Sequence, residues 1–412
     1  MNTMIKRILQ ITLIFYLIVT AYTLYVLLLA PDEKKNVHQD QGVLGNAEIK
    51  KPKPKPVIPD HQDVFAKVPI QAKNSTYSIE IWSKVGLGSY TWEHILNGKL
   101  ESRLDGIWFY GELQMHNLKF RMRDGDGVQP DKVPQDIENV MLILNGRAPD
   151  KEEYTRYWLD YLGSYSQLRR VVLMLIGNEQ CQNDWVLPYM KSRGGPVDRL
   201  FIVYDTLIVN GDDIMQWPLG VATYRGFPKI EINQLNLRSP RKHRCNFLGT
   251  MYPNSSREVL LKVINENNLQ DYCYFKTRQQ WEPDESEASL QAYINVILQS
   301  DLTLSPVGMN VECYRIYEAC ALGSVPVVED ITTKGDCSPN PLRLLKKLGA
   351  PFIFIKDWKE LPRIMEAEMK MSVDEIVDRR RRLVAWYETF KYKMKDILLG
   401  KIGEVFKEDA LR

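Results

Sequence analysis

Apolar residues fall along this chain in short, saturated runs. YSIEIW (77–82), NVMLIL (139–144), RVVLMLI (170–176) and RLFIVY (199–204) form one series, and CNFLGT (245–250), DLTLSP (301–306), SVPVVE (324–329) and PFIFI (351–355) a second. Each is bounded by polar residues or glycine and is apolar on both faces, as parallel strands buried between two layers are. Helical stretches such as SREVLLKVINENN and SLQAYINVILQ stand between them. Strand then helix, repeated twice, predicts an α/β fold of two doubly wound, Rossmann-like domains facing a cleft. The polar, basic segment LNLRSPRKHR (235–244) divides them into 74–240 and 241–370. A carboxyl-terminal unit, 371–412, holds a last helix of about Val373 to Met394 with Ile376, Val377, Leu383, Val384, Trp386, Tyr387 and Phe390 on one stripe.

The amino terminus has a different pattern. Residues 8–30 run 23 positions without a charge, enough helix to cross a bilayer and longer than the apolar core of a cleaved signal peptide. A single transmembrane anchor behind a seven-residue cytosolic tail (1–7) is expected. Residues 31–73, with KKPKPKPVIP, predict an extended stalk. Lys6 and Arg7 before the span balance Lys34 and Lys35 after it, so the charge rule does not orient the chain. Two other features favour a lumenal body of type II topology. Asn74-Ser75-Thr76 and Asn254-Ser255-Ser256 are glycosylation triplets, and Asn74 is the expected site, since a glycan on Asn254 would crowd the cleft. Six cysteines without CxxC spacing fit disulfides in an oxidising compartment better than zinc, with buried free thiols as the other reading.

A chain of 412 residues, 44% hydrophobic and with net charge +2, can build two cores and lacks the basic excess of a nucleic-acid binder. Any charged partner is therefore met locally, in turns after strands at the cleft. The turn Pro306 to Asn310, with Gly308, leads into an expected helix of about Val311 to Leu322, whose free N–H groups suit an anion. Glu312, Arg315 and Glu318 follow at i, i+3 and i+6, so they share a helix face. On a nucleotide-sugar reading Arg315 neutralises a diphosphate and Glu318 receives ribose hydroxyls. On spacing alone a solvated ion-pair ladder fits too. Asp124-Gly125-Asp126 could be claimed as a metal motif, but RDGDG reads as a turn without a preceding apolar strand, and no metal site is expected. The RRRR run at 379–382 reads as a solvated helix face. Trp217 and Trp281 are core residues or stacking platforms.

The segment LSPVGMNVECYRIYEACALGSVPVVED resembles the donor site of exostosin-type glycosyltransferases and α1,3-fucosyltransferases, with Arg315 eight residues before Gly323. Glu318 matches the acidic position of the exostosin pattern, whereas the fucosyltransferase pattern places its acid where this chain has Tyr314. WSKVGLGSYTWEHI, LILNGR, LIGNEQC, QWPLGVATYR, CNFLGTMYPNSSR and IYEACALGSVPVVED, in that order across roughly 77–395, closely resemble the Golgi ribitol xylosyltransferases that act on the O-mannosyl glycan of dystroglycan. That resemblance implies a GT-B type enzyme of the Golgi membrane. It would move xylose, with inversion, from UDP-xylose to ribitol 5-phosphate without a bound metal or other cofactor, and its partners would include other glycosyltransferases of the pathway. The amino-terminal domain would then face the acceptor and the second domain the donor.

Residue roles follow from that chemistry. Arg257, after CNFLGT and the turn MYPNSS, joins Arg315 at the diphosphate, or simply starts a helix capped by Ser255 or Ser256. Asn310 and Gly308 complete the donor turn. Inversion requires a general base. Glu179, in LIGNEQC directly after a strand, is the first candidate, and GNE resembles the Gly-Glu-Asn site of fucosyltransferases with the last two residues exchanged. Glu93, beside His94, and Asp205 are the alternatives. Arg147, Arg225 and Lys84 are candidates for the acceptor phosphate. A catalytically silent glycan-binding or scaffold protein is the competing function.

Overall fold

The computed structural model of the protein describes residues 76–102, 107–280 and 286–410. The expected tail, anchor and stalk, Asn74 and Trp281 lie outside them. No helix of the described residues is long and apolar enough to cross a membrane.

All eight saturated runs are strands. Tyr77–Ser83 (β1) is followed by Glu101–Ser102 (β2), Phe109–Met115 (β3), Leu118–Asp124 (β4), Asn139–Asn145 (β5), Arg170–Ile176 (β6), Arg199–Val203 (β7) and Ile214–Trp217 (β8), which make one sheet in the order β2-β3-β4-β1-β5-β6-β7-β8. From β4 to β8 every neighbour is parallel. Alternate residues of the central strands enter different cores: Ile81, Met141, Ile143, Met174 and Phe201 one, and Val140, Leu142, Leu173, Leu175 and Ile202 the other. Both sheet faces are thus covered, which is why no polar alternation marks these strands.

Two of the strands missed in the sequence, β3 and β4, are half-polar. β4 alternates buried and partly exposed positions along LKFRMRD and pairs antiparallel with β3. Asp124 closes β4, is buried and accepts a hydrogen bond from Ser89 Oγ at 2.7 Å. Gly125 turns with φ +122. The turn in RDGDG is therefore as expected, but a strand does precede it.

The second sheet contains His243–Thr250 (β9), Cys273–Arg278 (β10), Ser300–Ser305 (β11), Val325–Glu329 (β12) and Ile353–Ile355 (β13), all parallel, in the order β10-β9-β11-β12-β13. The order reverses between β9 and β11. A disulfide joins Cys245 and Cys273 at paired positions of β9 and β10, and a second joins Cys181 to Cys337. Cys313 and Cys320 are free thiols, so four of the six cysteines are bridged.

The main helices are Pro149–Tyr161 (α1), Ser256–Glu266 (α2), Glu287–Leu298 (α3), Tyr314–Ala321 (α4), Leu361–Lys370 (α5) and Val373–Ala410 (α6). α6 extends well past the expected end at Met394 and ties the sheets together: Tyr387 Oη lies 3.5 Å from Tyr90 Oη, and the Phe406 ring stacks on Tyr77 at 4.6 Å. The arginine run within it is not a solvated face throughout. Arg379 pairs with Glu368, while Arg380 is 3% exposed, pairs with Asp301 and donates to Leu237 O and Ser239 O at 2.8 and 2.9 Å.

Candidate active site

Where strand order reverses in an open parallel sheet, the turns beyond the neighbouring carboxyl ends diverge and leave a crevice. In the second sheet these are the turn from β9 into α2 and the turn from β11 into α4. They face turns of the first sheet that follow β5, β6 and β7 across a cleft of about 680 Å³, a volume suited to a nucleotide-sized ligand.

Arg257 and Arg315 each occupy the second position of a helix. Ser255 caps α2, its Oγ accepting the Arg257 N–H at 3.3 Å, so Arg257 starts a helix and also sends its guanidinium back to Thr250 O. The Arg315 Nη2 donates to Leu248 O at 2.7 Å. Both guanidiniums lie over one ring, that of Phe247, at 6.0 and 4.9 Å. Neither makes an ion pair among the described residues. Burial first, and then the neighbouring Arg315 charge, pushes the Arg257 titration down. Two glycines make this approach possible, since a Cβ at Gly308 would stand 2.7 Å from Arg257 Nη2 and one at Gly249 2.9 Å from Arg315 Nη2.

The helix beside them starts later than expected. α4 begins at Tyr314 with Cys313 as an extended N-cap, so Glu312 lies ahead of the helix and the three-residue ladder does not form. Glu312 Oε1 accepts the Leu219 N–H at 2.9 Å as well as the Tyr317 hydroxyl, and burial pushes its pKa up to about 7. Glu318 Oε1 accepts the Ala222 N–H at 3.1 Å, and its Oε2 the Tyr293 hydroxyl at 2.6 Å. With 4% exposure and both oxygens engaged, Glu318 clamps the strap 219–222 instead of presenting an open face to a ribose. Burial likewise raises its pKa. The clamped strap carries Tyr224 and Arg225 over the cleft, where the Tyr224 ring meets that of Tyr314 at 5.6 Å.

Across the cleft, Arg147 and Glu179 stand in the turns that follow β5 and β6. Arg147 Nη2 donates to Tyr204 Oη at 2.6 Å, Tyr204 Oη donates to Glu179 Oε1 at 3.4 Å, and Arg147 Nε stands 3.9 Å from the same carboxylate oxygen. Tyr204 is wholly buried in a left-handed conformation, φ 72, and burial holds its phenol protonated. Among the described carboxylates lining the cleft, Glu312 and Glu318 are buried and Glu179, with 31% of its side chain exposed, is the open one.

The remaining candidates stand elsewhere. Lys84 Nζ donates to Asp126 O at 2.9 Å and covers the Tyr154 ring, away from the cleft. Glu93 lies in the π-helical turn Tyr90–Ile95, its pKa raised by burial and by Asp124; beside it His94 is buried and pushed down to about 4. Neither lines the cleft. Asp205 is taken by Arg343, which binds it through its backbone N–H at 2.9 Å and through Nε at 3.1 Å. Trp217 is fully buried edge-on against Phe201. Asn310 lines the cleft but spends its side chain on Glu179 O and the Glu312 N–H, at 2.7 and 2.8 Å. Sequence reasoning missed Lys276 and Arg278 on β10, a half-polar strand without a saturated run, and the tyrosines Tyr204, Tyr252 and Tyr293, which look like ordinary core residues.

Fold and cleft define a two-lobed α/β protein with an arginine-lined crevice between its sheets, the class to which nucleotide-sugar transferases belong. Residues 79–218 match the family described as RXYLT1 N-terminal domain and residues 224–407 the one described as RXYLT1 C-terminal domain. The chain belongs to the RXYLT1 family. A Danio rerio protein named ribitol-5-phosphate xylosyltransferase 1 is 47% identical over 366 residues, covering 86% of this chain and 83% of its own. The Homo sapiens protein of that name is 45% identical over 328 residues, covering 77% and 74%. A crystal structure of an α1,3-fucosyltransferase is 10% identical and covers 83% of this chain and 93% of its own, with a TM-score of 0.36.

Proposed function

We propose that this protein is a xylosyltransferase that acts on ribitol phosphate, with UDP-xylose as donor and inversion at the transferred carbon. Kinship to proteins named for that activity supports the reaction class, and the arrangement of charges supports the mechanism. When the bond between xylose C1 and the diphosphate oxygen breaks, its electron pair leaves with UDP. Arg257, Arg315 and the uncapped amino end of α4 meet that charge. The acceptor hydroxyl oxygen bonds to C1 from the opposite side and gives its proton to Glu179. Arg147, beside Glu179, and Arg225, over the Tyr224 ring, also line the cleft and are assigned to the acceptor phosphate. The two guanidiniums supply the countercharge that a divalent cation would otherwise bring.

The observation that carries this reading is the pair of arginines over Phe247, without an ion pair among the described residues, in one cleft with the part-exposed carboxylate of Glu179. The apolar run 8–30 and the two disulfides favour a membrane-anchored protein with its body in an oxidising lumen, and the motifs shared with the Golgi ribitol xylosyltransferases extend the reading to the Golgi and to the O-mannosyl glycan of dystroglycan as acceptor. The test is product analysis of the detergent-solubilised chain with UDP-xylose and a glycopeptide ending in ribitol 5-phosphate. A new β-xylosidic linkage is expected. Hydrolysis of the donor alone, or no turnover, would overturn the assignment.

A further inference from the structure

The two loops that bring Glu179 and Tyr204 to the cleft are fastened to the opposite lobe at one place. Cys181, two residues beyond Glu179, is bonded to Cys337 of the segment between β12 and β13. Around that bond the backbones dock: the Asp336 N–H donates to Gln180 O at 2.8 Å, the Ser338 N–H donates to Asp205 O at 2.6 Å, and Thr206 bridges Cys337. Gly335 is seated so closely that a Cβ there would lie 2.5 Å from Gln180 O. Arg343 holds Asp205. Asn310, from the crevice turn after β11, donates to the carbonyl of Glu179 itself at 2.7 Å. At another point the strap 219–222 is clamped by Glu312 and Glu318.

A general base works only within about 2.6–3.2 Å of the proton it removes, and a surface loop left to itself does not hold such a position. Hinge closure between lobes needs a few residues free to absorb a change of backbone angle; here the joining segments are tied at both points. We infer that the junction is a positioning device for Glu179, in which Asn310 and the Cys181–Cys337 disulfide set the base against the donor-side arginines before substrate arrives. Asn310 acts through Glu179 and not on the donor. Because one tie is a disulfide, the base is set only where that bond can form. The inference rests on the proposed role of Glu179.

Asn310→Asp keeps the size of the side chain and its acceptor for the Glu312 N–H but loses donation to Glu179 O. Its kcat should fall about tenfold or more, while the Kd for UDP stays within about twofold. In a Glu179→Gln background the same substitution should change kcat by less than about twofold, because the residue it positions no longer acts. Additive losses, or a parallel loss of UDP affinity, would overturn the proposal. Hydrogen–deuterium exchange of Cys337→Ser supplies a readout independent of the substrates: amides 178–182 should exchange about tenfold faster with those of α4 unchanged. Unchanged exchange at 178–182 would refute the junction's role even if xylose transfer were established, whereas failure of the wild type to transfer xylose, with exchange at 178–182 raised in Cys337→Ser, would refute the reaction assigned above and leave standing only the tie of this loop to the opposite lobe.

Discussion

Replacing Arg315 with methionine tests the donor site most directly. Methionine keeps an unbranched stem against the Phe247 ring, now 4.9 Å from the guanidinium, and removes the charge and the hydrogen bond to Leu248 O. Two like charges share that ring, and Arg315 pushes the Arg257 titration down, so losing one relieves repulsion in the free protein. The apo melting temperature should hold or rise slightly. A charged hydrogen bond to a phosphate is worth about 1.5–3 kcal/mol, which lowers UDP affinity roughly ten- to hundredfold. At a UDP concentration of about 100 times the wild-type Kd, ligand stabilisation of about 2.7 kcal/mol would fall to about 0.9 for a thirtyfold weaker site. Calorimetric titration and thermal shift with and without UDP measure both quantities. Unchanged UDP affinity, or an apo protein that melts several degrees lower while binding UDP normally, would show that Arg315 is a structural residue and remove the electrostatic basis of the mechanism.

Glu179→Gln should lower kcat by about a hundredfold or more with UDP affinity intact, measured by single-turnover xylosyl transfer. Arg147→Met should raise KM for the ribitol phosphate acceptor at least about tenfold, whereas Lys84→Met, outside the cleft, should leave it unchanged. Glu312 holds its proton in the folded state up to about pH 7, against an ordinary carboxylate value of 4.5, so its stabilising contribution is complete below that lower value and lost as pH rises through about 7. Glu312→Gln keeps an acceptor for Leu219 and should flatten this part of the stability profile between pH 5 and 8, by up to about 3 kcal/mol; denaturant melts at both ends check it. Arg380→Ala should cost about 3 kcal/mol by urea unfolding, the low end for a broken buried pair, because Arg244 still holds the other oxygen of Asp301 at 3.1 Å.

The strands β1, β5, β6, β7, β9, β11, β12 and β13 were legible as runs because burial on both faces leaves no room for polar alternation, and that constraint acts on neighbours in the chain. Arg257, Arg315, Arg147 and Glu179 were legible for a related reason: in a parallel sheet the turn after a strand is where a ligand is met. β3, β4 and β10 escaped because half-exposed strands carry polar residues that look like loop. The ladder of Glu312, Arg315 and Glu318 failed on a boundary, since the helix starts at Tyr314.

Local pattern along the chain thus settled which segments are strands and which charged residues stand at their ends. Meeting of the lobes assigned the partners. Glu312 finds the Leu219 N–H 93 residues away, Glu318 the Ala222 N–H 96 residues away, Asp205 the Arg343 N–H 138 residues away, and Cys181 its thiol partner 156 residues away. A buried carboxylate must be neutralised or hydrogen-bonded wherever it is enclosed, and what encloses these groups is backbone from another lobe, set by how two sheets pack and not by any periodicity in the residues beside them.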